Sequence, residues 1–281
     1  MAPIERIESL EDPRVADYRN IRDADLMGRR GLFMAEGRLV VRTLLTQSGF
    51  RARSVLVTEP ALESLRDALV PGPGGPPVYL ADQGLLNEIA GLDVHRGCLA
   101  AGDRGAPFSV AEALKKAGSG ASMVLALEDL TNHDNVGGLF RNALAFGAGA
   151  VVLGPRCCDP LYRKSIRVSM GAALRVPFAR GEDWSQIAGA LREAGFVTVA
   201  LTPGADASDL DALASGAERP RRVAVLVGAE GPGLSAEALR AADLRVRIAM
   251  APGVDSLNVA TAAGIAMHRL APTLRGAGRA D

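Results

Sequence analysis

The stretch that decides the fold runs from Arg221 to Leu270 and reads RRVAVLVGAEGPGLSAEALRAADLRVRIAMAPGVDSLNVATAAGIAMHRL. Val223–Val227 is a continuous apolar run rich in valine, which predicts a strand buried on both faces. The strand ends at residues 228–233, where three glycines in six residues allow a tight turn and a close approach to a ligand. A helix capped by Ser235, a strand over Leu244–Met250 and a helix over Leu257–Leu270 are predicted to follow.

Two loops in this stretch carry polar side chains directly after a predicted strand. The first loop offers Glu230, and the second offers Ser256 and Asn258. Ligands of open α/β sheets bind beyond the carboxyl ends of the strands, so these two loops are expected to wall one pocket. Each glycine loop taken alone is also explained by an ordinary turn between a strand and a helix, and only the pairing of the loops favours a site.

The composition is that of a globular protein with 281 residues, of which 48% are apolar and 23% charged. This length is enough for two domains. No apolar run approaches the roughly 20 residues of a membrane span, and the charged N-terminus lacks the features of a signal peptide. We therefore expect a cytoplasmic protein without a membrane partner. Cys98, Cys157 and Cys158 lack metal-ligand spacing, so neither a metal site nor a disulfide framework is expected.

Two domains are predicted from the order of apolar runs and turns. Residues 1–103 alternate helices, the first of them starting at Asp12-Pro13, with short strands, which indicates a small α/β domain. Residues 102–107 read GDRGAP and suggest a linker. Residues 104–281 then form the second domain, an α/β unit with a mostly parallel sheet and helices on both faces. The arginines of the first domain fit either a solvated surface or a phosphate-contacting face: Arg38, Arg42, Arg51, Arg53 and Arg96.

A polar loop, residues 128–135, follows the apolar run of Ser122–Leu127 and leads into a predicted helix. Asn135 is placed to cap that helix. Arg141 follows on the side opposite an apolar stripe, where it is either a plain surface residue or part of a site.

Three motifs now stand in order along the chain. The first runs from Asn135-Val136-Gly137 to Arg141 and on through Phe146-Gly147, and the second is Leu226-Val227-Gly228-Ala229-Glu230-Gly231. The third is Ile248-Ala249-Met250 followed by Ser256-Leu257-Asn258-Val259. Together they resemble the SpoU branch of the SPOUT RNA methyltransferases over the whole second domain. The first domain is similar to the small RNA substrate-binding domain that precedes many members.

The resemblance implies a function, a cofactor and an assembly. Members transfer a methyl group from S-adenosylmethionine to a ribose 2′-hydroxyl of rRNA or tRNA, hold the cofactor in a C-terminal trefoil knot, and act as homodimers. The first domain is more similar to rRNA-directed members, which favours 23S-type rRNA. On this basis the expected cofactor-binding residues are Leu226, Gly228, Ile248, Met250 and Leu257. The expected catalytic residues are Asn135, Arg141, Glu230, Ser256 and Asn258.

Several roles stay open at this stage. Family members are often described with the arginine as the base, but a guanidinium stays protonated in proteins, so we expect Arg141 to align the target phosphate and the nucleophile instead. Glu230 is equally suited to ordering its loop, and Ser256 and Asn258 to capping a helix. The last helix carries small residues at helical spacing, which serve either internal packing or a dimer interface: Ala260, Ala263, Gly264 and Met267.

Two other functions compete with the enzyme. A non-catalytic RNA-binding or ribosome-assembly protein would share the first domain and the arginines, but it would not need Asn135, Arg141 and Asn258 together. A nucleotide-linked dehydrogenase would need G-x-G-x-x-G after its first strand, and the loop after Ser122–Leu127 has no such glycines.

Overall fold

A computed structural model describes residues 4–19, 31–69, 75–217 and 219–271, and these form two compact units. Elements are numbered along the whole chain. The first unit takes the described residues up to Ala106 together with Leu161–Arg175, and the second takes Pro107–Pro160 and the described residues from Val176 onward. The compact units are not continuous along the chain, because Leu161–Arg175 belongs to the first unit. The functional domain limits at residues 103 and 104 stay a prediction.

The first unit is built on a five-stranded sheet in the order β1-β4-β3-β5-β2. β1, β4 and β3 run parallel, and β5 lies antiparallel to both β3 and β2. The strands are β1 (Ile4–Arg6), β2 (Leu32–Glu36), β3 (Arg51–Val57), β4 (Val78–Leu80) and β5 (Cys98–Asp103). The helices are α1 (Arg38–Thr46), α2 (Glu59–Leu65), α3 (Gln83–Ala90) and α6 (Arg163–Val168), with 3-10 helices over Pro13–Tyr18 and Ala172–Leu174.

Two expectations for the first unit change. The helix predicted to start at Asp12-Pro13 is a 3-10 helix in its described part, and residues 20–30 lie outside the described residues. β5 extends to Asp103, so Gly102 belongs to a strand and not to the predicted linker. A Cβ on Gly102 would lie 2.2 Å from Cζ of Phe33, so glycine at this position makes room for the ring.

The second unit is built on a seven-stranded sheet in the order β10-β12-β9-β11-β6-β7-β8, and every pairing in it is parallel. The predicted α/β fold with a parallel sheet is confirmed. The strands are β6 (Met123–Leu127), β7 (Ala150–Leu153), β8 (Phe178–Arg180), β9 (Val197–Leu201), β10 (Ser208–Asp209), β11 (Val223–Val227) and β12 (Leu244–Arg247). The helices are α4 (Val110–Ala117), α5 (His133–Ala145), α7 (Trp184–Glu193), α8 (Leu210–Ser215), α9 (Ala236–Ala241) and α10 (Val259–Leu270).

Both faces of this sheet are covered by helices. The central strand β11 is buried along its whole length, as its apolar run predicts. On one face α4, α7 and α9 pack over alternate residues of β6 and β11, among them Ala224 and Leu226. On the other face α10 contacts β9 and β11, and α5 packs against α10. No helix within the described residues is long and apolar enough to cross a membrane.

Candidate active site

A cavity of about 680 Å³ opens at the carboxyl edge of the seven-stranded sheet. Its walls come from the loops that follow β9, β11 and β12, which are neighbours in the sheet. The lining residues are Leu201, Thr202, Pro203, Val227, Gly228, Ala229, Glu230, Gly231, Gly233, Ile248, Met250, Asp255, Ser256, Leu257, Asn258, Val259 and Ala262. Small-molecule sites typically span about 300–1,000 Å³, so the cavity has the size of a cofactor site.

The loop after β11 folds back on itself and fixes the position of Gly228. Ala229 and Gly233 form an isolated antiparallel bridge, in which the Gly233 N–H donates to the Ala229 carbonyl at 2.9 Å. A Cβ on Gly228 would lie 2.3 Å from the carbonyl carbon of Gly233. Gly231 and Gly233 have φ of 86° and 71°, which L side chains rarely adopt. The glycines therefore serve the fold of the loop itself and keep the cavity wall free of side chains at Gly228.

A buried carboxylate attaches this loop to the neighbouring strand. Glu128 follows β6 and is only 3% exposed. Its Oε2 accepts a hydrogen bond from the Ser235 N–H at 2.7 Å, and its own N–H donates to the Val227 carbonyl at 2.9 Å. Ser235 is the N-cap of α9, as predicted, because its hydroxyl accepts from the Ala238 N–H. The end of β6 and the start of α9 thus hold the glycine loop from both sides.

Three of the predicted catalytic residues form one hydrogen-bonded group. The Asn258 side-chain N–H donates to Oδ1 of Asn135 at 2.9 Å and to Oε1 of Glu230 at 3.1 Å. The Asn258 Oδ1 accepts from the Ala260 and Thr261 N–H groups, which makes Asn258 the N-cap of α10. The structure therefore brings together the starts of α5 and α10 with the glycine loop at the mouth of the cavity.

The prediction that Asn135 caps α5 is wrong. The helix begins at His133 and is capped by Asn132, whose Oδ1 accepts from the Asp134 N–H at 2.8 Å. Asn135 lies inside the first turn and is 6% exposed. Its amide oxygen accepts the hydrogen bond from Asn258 and does not cap the helix.

The expected cofactor-binding residues divide into two groups. Gly228, Ile248, Met250 and Leu257 line the cavity, together with Ser256 from the catalytic set. β12 ends at Arg247, so Ile248 and Met250 belong to the following loop and not to the predicted strand. Leu226 does not line the cavity, because its side chain points into the core beneath α4, α7 and α9.

Arg141 lies away from the cavity lining. It is exposed on α5, six residues after Asn135, which corresponds to about 9 Å along a helix. Its neighbour Asn142 faces α10 and donates from Nδ2 to the Ala260 carbonyl at 2.6 Å. The structure thus connects Arg141 to the cavity through α5, while its side chain is free to meet a large substrate.

The sequence does not predict one wall of the cavity, the loop after β9. Leu201, Thr202 and Pro203 follow β9, and nothing in their local pattern indicates a site. They join the cavity only because β9 pairs with both β11 and β12, which is a property of strand order. Among the described residues no group of three or more His, Cys, Asp or Glu side chains could hold a metal ion.

An all-parallel sheet with a glycine-bounded cavity at its carboxyl edge is typical of α/β proteins that bind nucleotides or related small molecules. The chain belongs to the SpoU rRNA methylase family, whose family model matches residues 122–268. This family of RNA methyltransferases is the one that the three motifs indicate, so the resemblance is confirmed.

Relatives agree with this assignment, and a solved structure shares the fold. An uncharacterised tRNA/rRNA methyltransferase of Mycobacterium tuberculosis is 44% identical over 263 residues, covering 92% of this chain and 88% of its own length. A 23S rRNA (guanosine-2′-O-)-methyltransferase of Burkholderia is 32% identical, covering 66% of this chain and 74% of its own. An AdoMet-bound rRNA methyltransferase from Sinorhizobium meliloti shares the fold, with a TM-score of 0.78, 24% identity, and coverage of 95% of this chain and 97% of that chain.

Proposed function

We propose that this protein methylates a ribose 2′-hydroxyl of structured RNA, with S-adenosylmethionine as cofactor and 23S-type rRNA as substrate. The observation that carries the proposal is the cavity where the Gly228 loop and the loop of Ser256 and Leu257 meet, in a chain of the SpoU family. The name of the Burkholderia relative supports both the ribose oxygen and the ribosomal substrate. Ribose methylation of tRNA is the alternative, because the mycobacterial relative is named for both RNA classes.

The residues of the cavity fit the cofactor. Ile248, Met250 and Leu257 offer apolar surface for the adenine. Gly228 lies in the same wall and has no side chain, because the Gly233 backbone occupies the place of its Cβ. When bound, S-adenosylmethionine supplies a methyl group on a positively charged sulfonium. The role of the protein is to bind it, exclude water and align the ribose oxygen.

Three side chains of the site have separate roles in holding the cavity and the substrate. Asn258 holds the glycine loop against α5 through Glu230 and Asn135, which keeps the cavity mouth in one geometry. The exposed hydroxyl of Ser256 is positioned to bind substrate at that mouth. Arg141 binds a phosphate of the target RNA through its guanidinium group. The 2′-proton leaves to a phosphate oxygen or to water.

Two measurements test the function. Isothermal titration with S-adenosylmethionine is expected to show one site per chain, and absence of binding would favour a ribosome-assembly protein without catalysis. Mapping of 2′-O-methyl positions in total RNA from cells with and without the protein is expected to show one lost position in the large ribosomal RNA. A lost position in tRNA would instead establish the alternative.

Replacing Arg141 by Lys tests the role of the guanidinium. A lysine keeps the charge but loses the planar fork that binds phosphate with two parallel hydrogen bonds. We expect kcat/KM for RNA to fall by about 10- to 100-fold, within the range seen when a reacting group is misplaced, with an unchanged Kd for S-adenosylmethionine. A rate near that of the wild type would refute the need for the fork.

Assembly, topology and location complete the proposal. We expect a homodimer, a trefoil knot formed by the C-terminal segment, and action in the cytoplasm, where ribosomal and transfer RNA are found. The hydrogen bond between Asn258 and Glu230 joins the two loops that such a knot would bring together, the loop after β12 and the loop after β11. An experimental chain trace in which this segment passes through no loop would contradict it.

A further inference from the structure

Arginines gather around one turn of the first unit, at Glu36-Gly37 between β2 and α1. This turn lies beside the start of β5, because the Gly37 N–H donates to the Cys98 carbonyl at 3.0 Å. Arg38 begins α1, and the Cδ of Arg96 lies 3.8 Å from the position of a Cβ on Gly37. Burial raises the pKa of the Cys98 thiol to about 12, and the nearby charge of Arg38 opposes this shift. Arg38 and Arg96 therefore flank the same turn.

Two further arginines reach the turn from the segment Leu161–Arg175, which packs with the first unit. α6 lies against β2, and Arg163 and Arg167 point one Nη1 each at Oε2 of Glu36, at 3.3 and 3.7 Å. The Glu36 side chain is only 10% exposed. One largely buried carboxylate thus contacts two guanidinium groups, while Arg38 and Arg96 are exposed beside the same turn. We name these four arginines around Glu36 the basic corner.

Several other arginines of this unit are neutralised by ion pairs. Five of them are matched to at least one carboxylate within the described part of the chain: Arg14, Arg19, Arg42, Arg53 and Arg66. Arg38 and Arg96 are exposed and make no ion pair with any described residue. The chain as a whole has a formal net charge of zero, so the positive charge of the corner is a local concentration.

We propose that the basic corner is the surface that binds the phosphate backbone of the RNA substrate. The proposal rests on the proposed function and adds to it a defined contact surface. Guanidinium groups bind phosphate through paired N–H donors, and each phosphate that they neutralise releases condensed counterions. Arg38 and Arg96 contact phosphates directly. Glu36 holds Arg163 and Arg167 beside the same turn, where their positive charge adds to the attraction for the backbone.

The test compares two double variants of the full-length chain that remove the same charge. The first, Arg38→Gln with Arg96→Gln, neutralises the exposed half of the corner. The second, Arg51→Gln with Arg175→Gln, is the matched control, because both residues are exposed and lack an ion pair with described residues. Arg51 starts the central strand β3, at the opposite end of the strands from Glu36, and the carbonyl of Leu174, just before Arg175, accepts a hydrogen bond from the Ser48 hydroxyl near that end.

Binding is measured by fluorescence anisotropy on a labelled transcript of 23S rRNA between 50 and 300 mM salt. We expect the corner variant to bind about tenfold more weakly at physiological salt. The slope of log K against log salt should fall by about 1.4, because each of the two phosphates that the variant no longer neutralises accounts for about 0.7. The control is expected to stay within twofold of the wild type. Titration with S-adenosylmethionine and thermal melting are expected to be the same for all three proteins.

The possible outcomes separate the two proposals. Equal losses in both double variants, or an unchanged slope in the corner variant, would overturn the corner as the phosphate surface. If the corner variant keeps the RNA affinity of the wild type, the proposal is also overturned, and the corner would then be a surface for an acidic protein. A wild-type protein that binds neither this transcript nor tRNA would instead refute the RNA substrate itself.

Discussion

Gly228 shows how a single residue fixes the shape of the cavity. Its neighbours across the turn are backbone atoms, with the carbonyl oxygen of Gly233 at 2.4 Å and the amide nitrogen of Leu234 at 2.4 Å from the position of a Cβ. Backbone cannot rotate out of the way as the end of a side chain can. Even a methyl group must therefore displace the loop that walls the cofactor cavity.

Gly228→Ala is expected to abolish or strongly weaken binding of S-adenosylmethionine, by at least tenfold in isothermal titration, while the protein stays folded. Gly189→Ala is the matched control. Gly189 lies inside α7, and nothing lies within 4 Å of the position of its Cβ. Because glycine is unfavourable inside a helix, the control should gain about 0.5–1 kcal/mol in the free energy of unfolding. Normal cofactor binding by Gly228→Ala would show that the loop adapts.

Asn258 combines two tasks that different substitutions separate. Asn258→Ser keeps an oxygen that can cap α10 but removes the amide donor to Asn135 and Glu230. Asn258→Ala removes both. We expect both variants to weaken cofactor binding by about the same factor, while Ala alone costs a further 1 kcal/mol or so of stability, the usual contribution of a cap. Titration and urea unfolding measure the two quantities, and full cofactor affinity in the Ser variant would contradict the role of the amide.

At the scale of elements, Asp243 ties β12 to β9 at the edge opposite the cavity. Its Oδ2 accepts from the Thr198 N–H at 2.8 Å and from the Thr198 hydroxyl at 2.7 Å. Burial raises the pKa of Asp243, but these hydrogen bonds outweigh burial and lower it below its ordinary value of 3.8. A lowered pKa means that the folded state favours the ionised carboxylate. Its contribution to stability is complete above about pH 4 and is lost as the pH falls through the folded-state pKa.

Asp243→Asn should therefore flatten the acid side of the stability profile. We expect the wild type to lose melting temperature steeply below about pH 4, and the variant to start lower at neutral pH and to lose less on acidification. Thermal melting between pH 2.5 and 7 measures this, with Glu193→Gln on the exposed end of α7 as control. Parallel profiles for the wild type and Asp243→Asn would show that the hydrogen bonds to Thr198 do not favour the charged form.

The sequence predicts elements well where apolar runs and caps decide them. β11 has the predicted bounds, and Ser235 and Asn258 cap their helices. The predictions fail where contacts between distant parts of the chain determine the role of a residue. Asn135 has the composition of an N-cap, but Asn132 lies where the helix begins, and the partner of Asn135 lies 123 residues away. Local patterns contain no information about such a partner.

At the scale of the whole molecule, strand order assembles the candidate site. The loop of Leu201–Pro203 is part of the cavity because β9 lies between β11 and β12, an order that no periodicity reveals. The placement of Leu161–Arg175 in the first unit is equally invisible in the sequence, where the segment falls inside the predicted second domain, residues 104–281. Only the family resemblance could have suggested either arrangement before the structure was known.

The small residues of α10, which were open to packing or to a dimer interface, pack inside the chain. Ala263 and Met267 are fully buried, and Ala260 and Gly264 pack against α5, where a Cβ on Gly264 would lie 3.1 Å from Nδ2 of Asn142. The small residues of α10 are therefore used for packing inside the chain. A partner would have to meet residues that this packing leaves exposed.

Three of the exposed large apolar residues in the described chain lie in the loop before α10 or on the outer side of that helix: Val254, Leu257 and Ile265. Leu257 lines the cofactor cavity, whereas Val254 and Ile265 do not, so these two are the apolar side chains that a partner would cover. We therefore expect sedimentation velocity at micromolar concentration to give a species of twice the 29.2 kDa chain mass. Ile265→Lys would bury a charge in such an interface and should shift the protein to the monomer, whereas Leu39→Lys, on exposed α1 of the first unit, should leave the dimer intact. Monomeric wild-type protein would refute the assembly, and a dimer that withstands Ile265→Lys would place the interface on another surface.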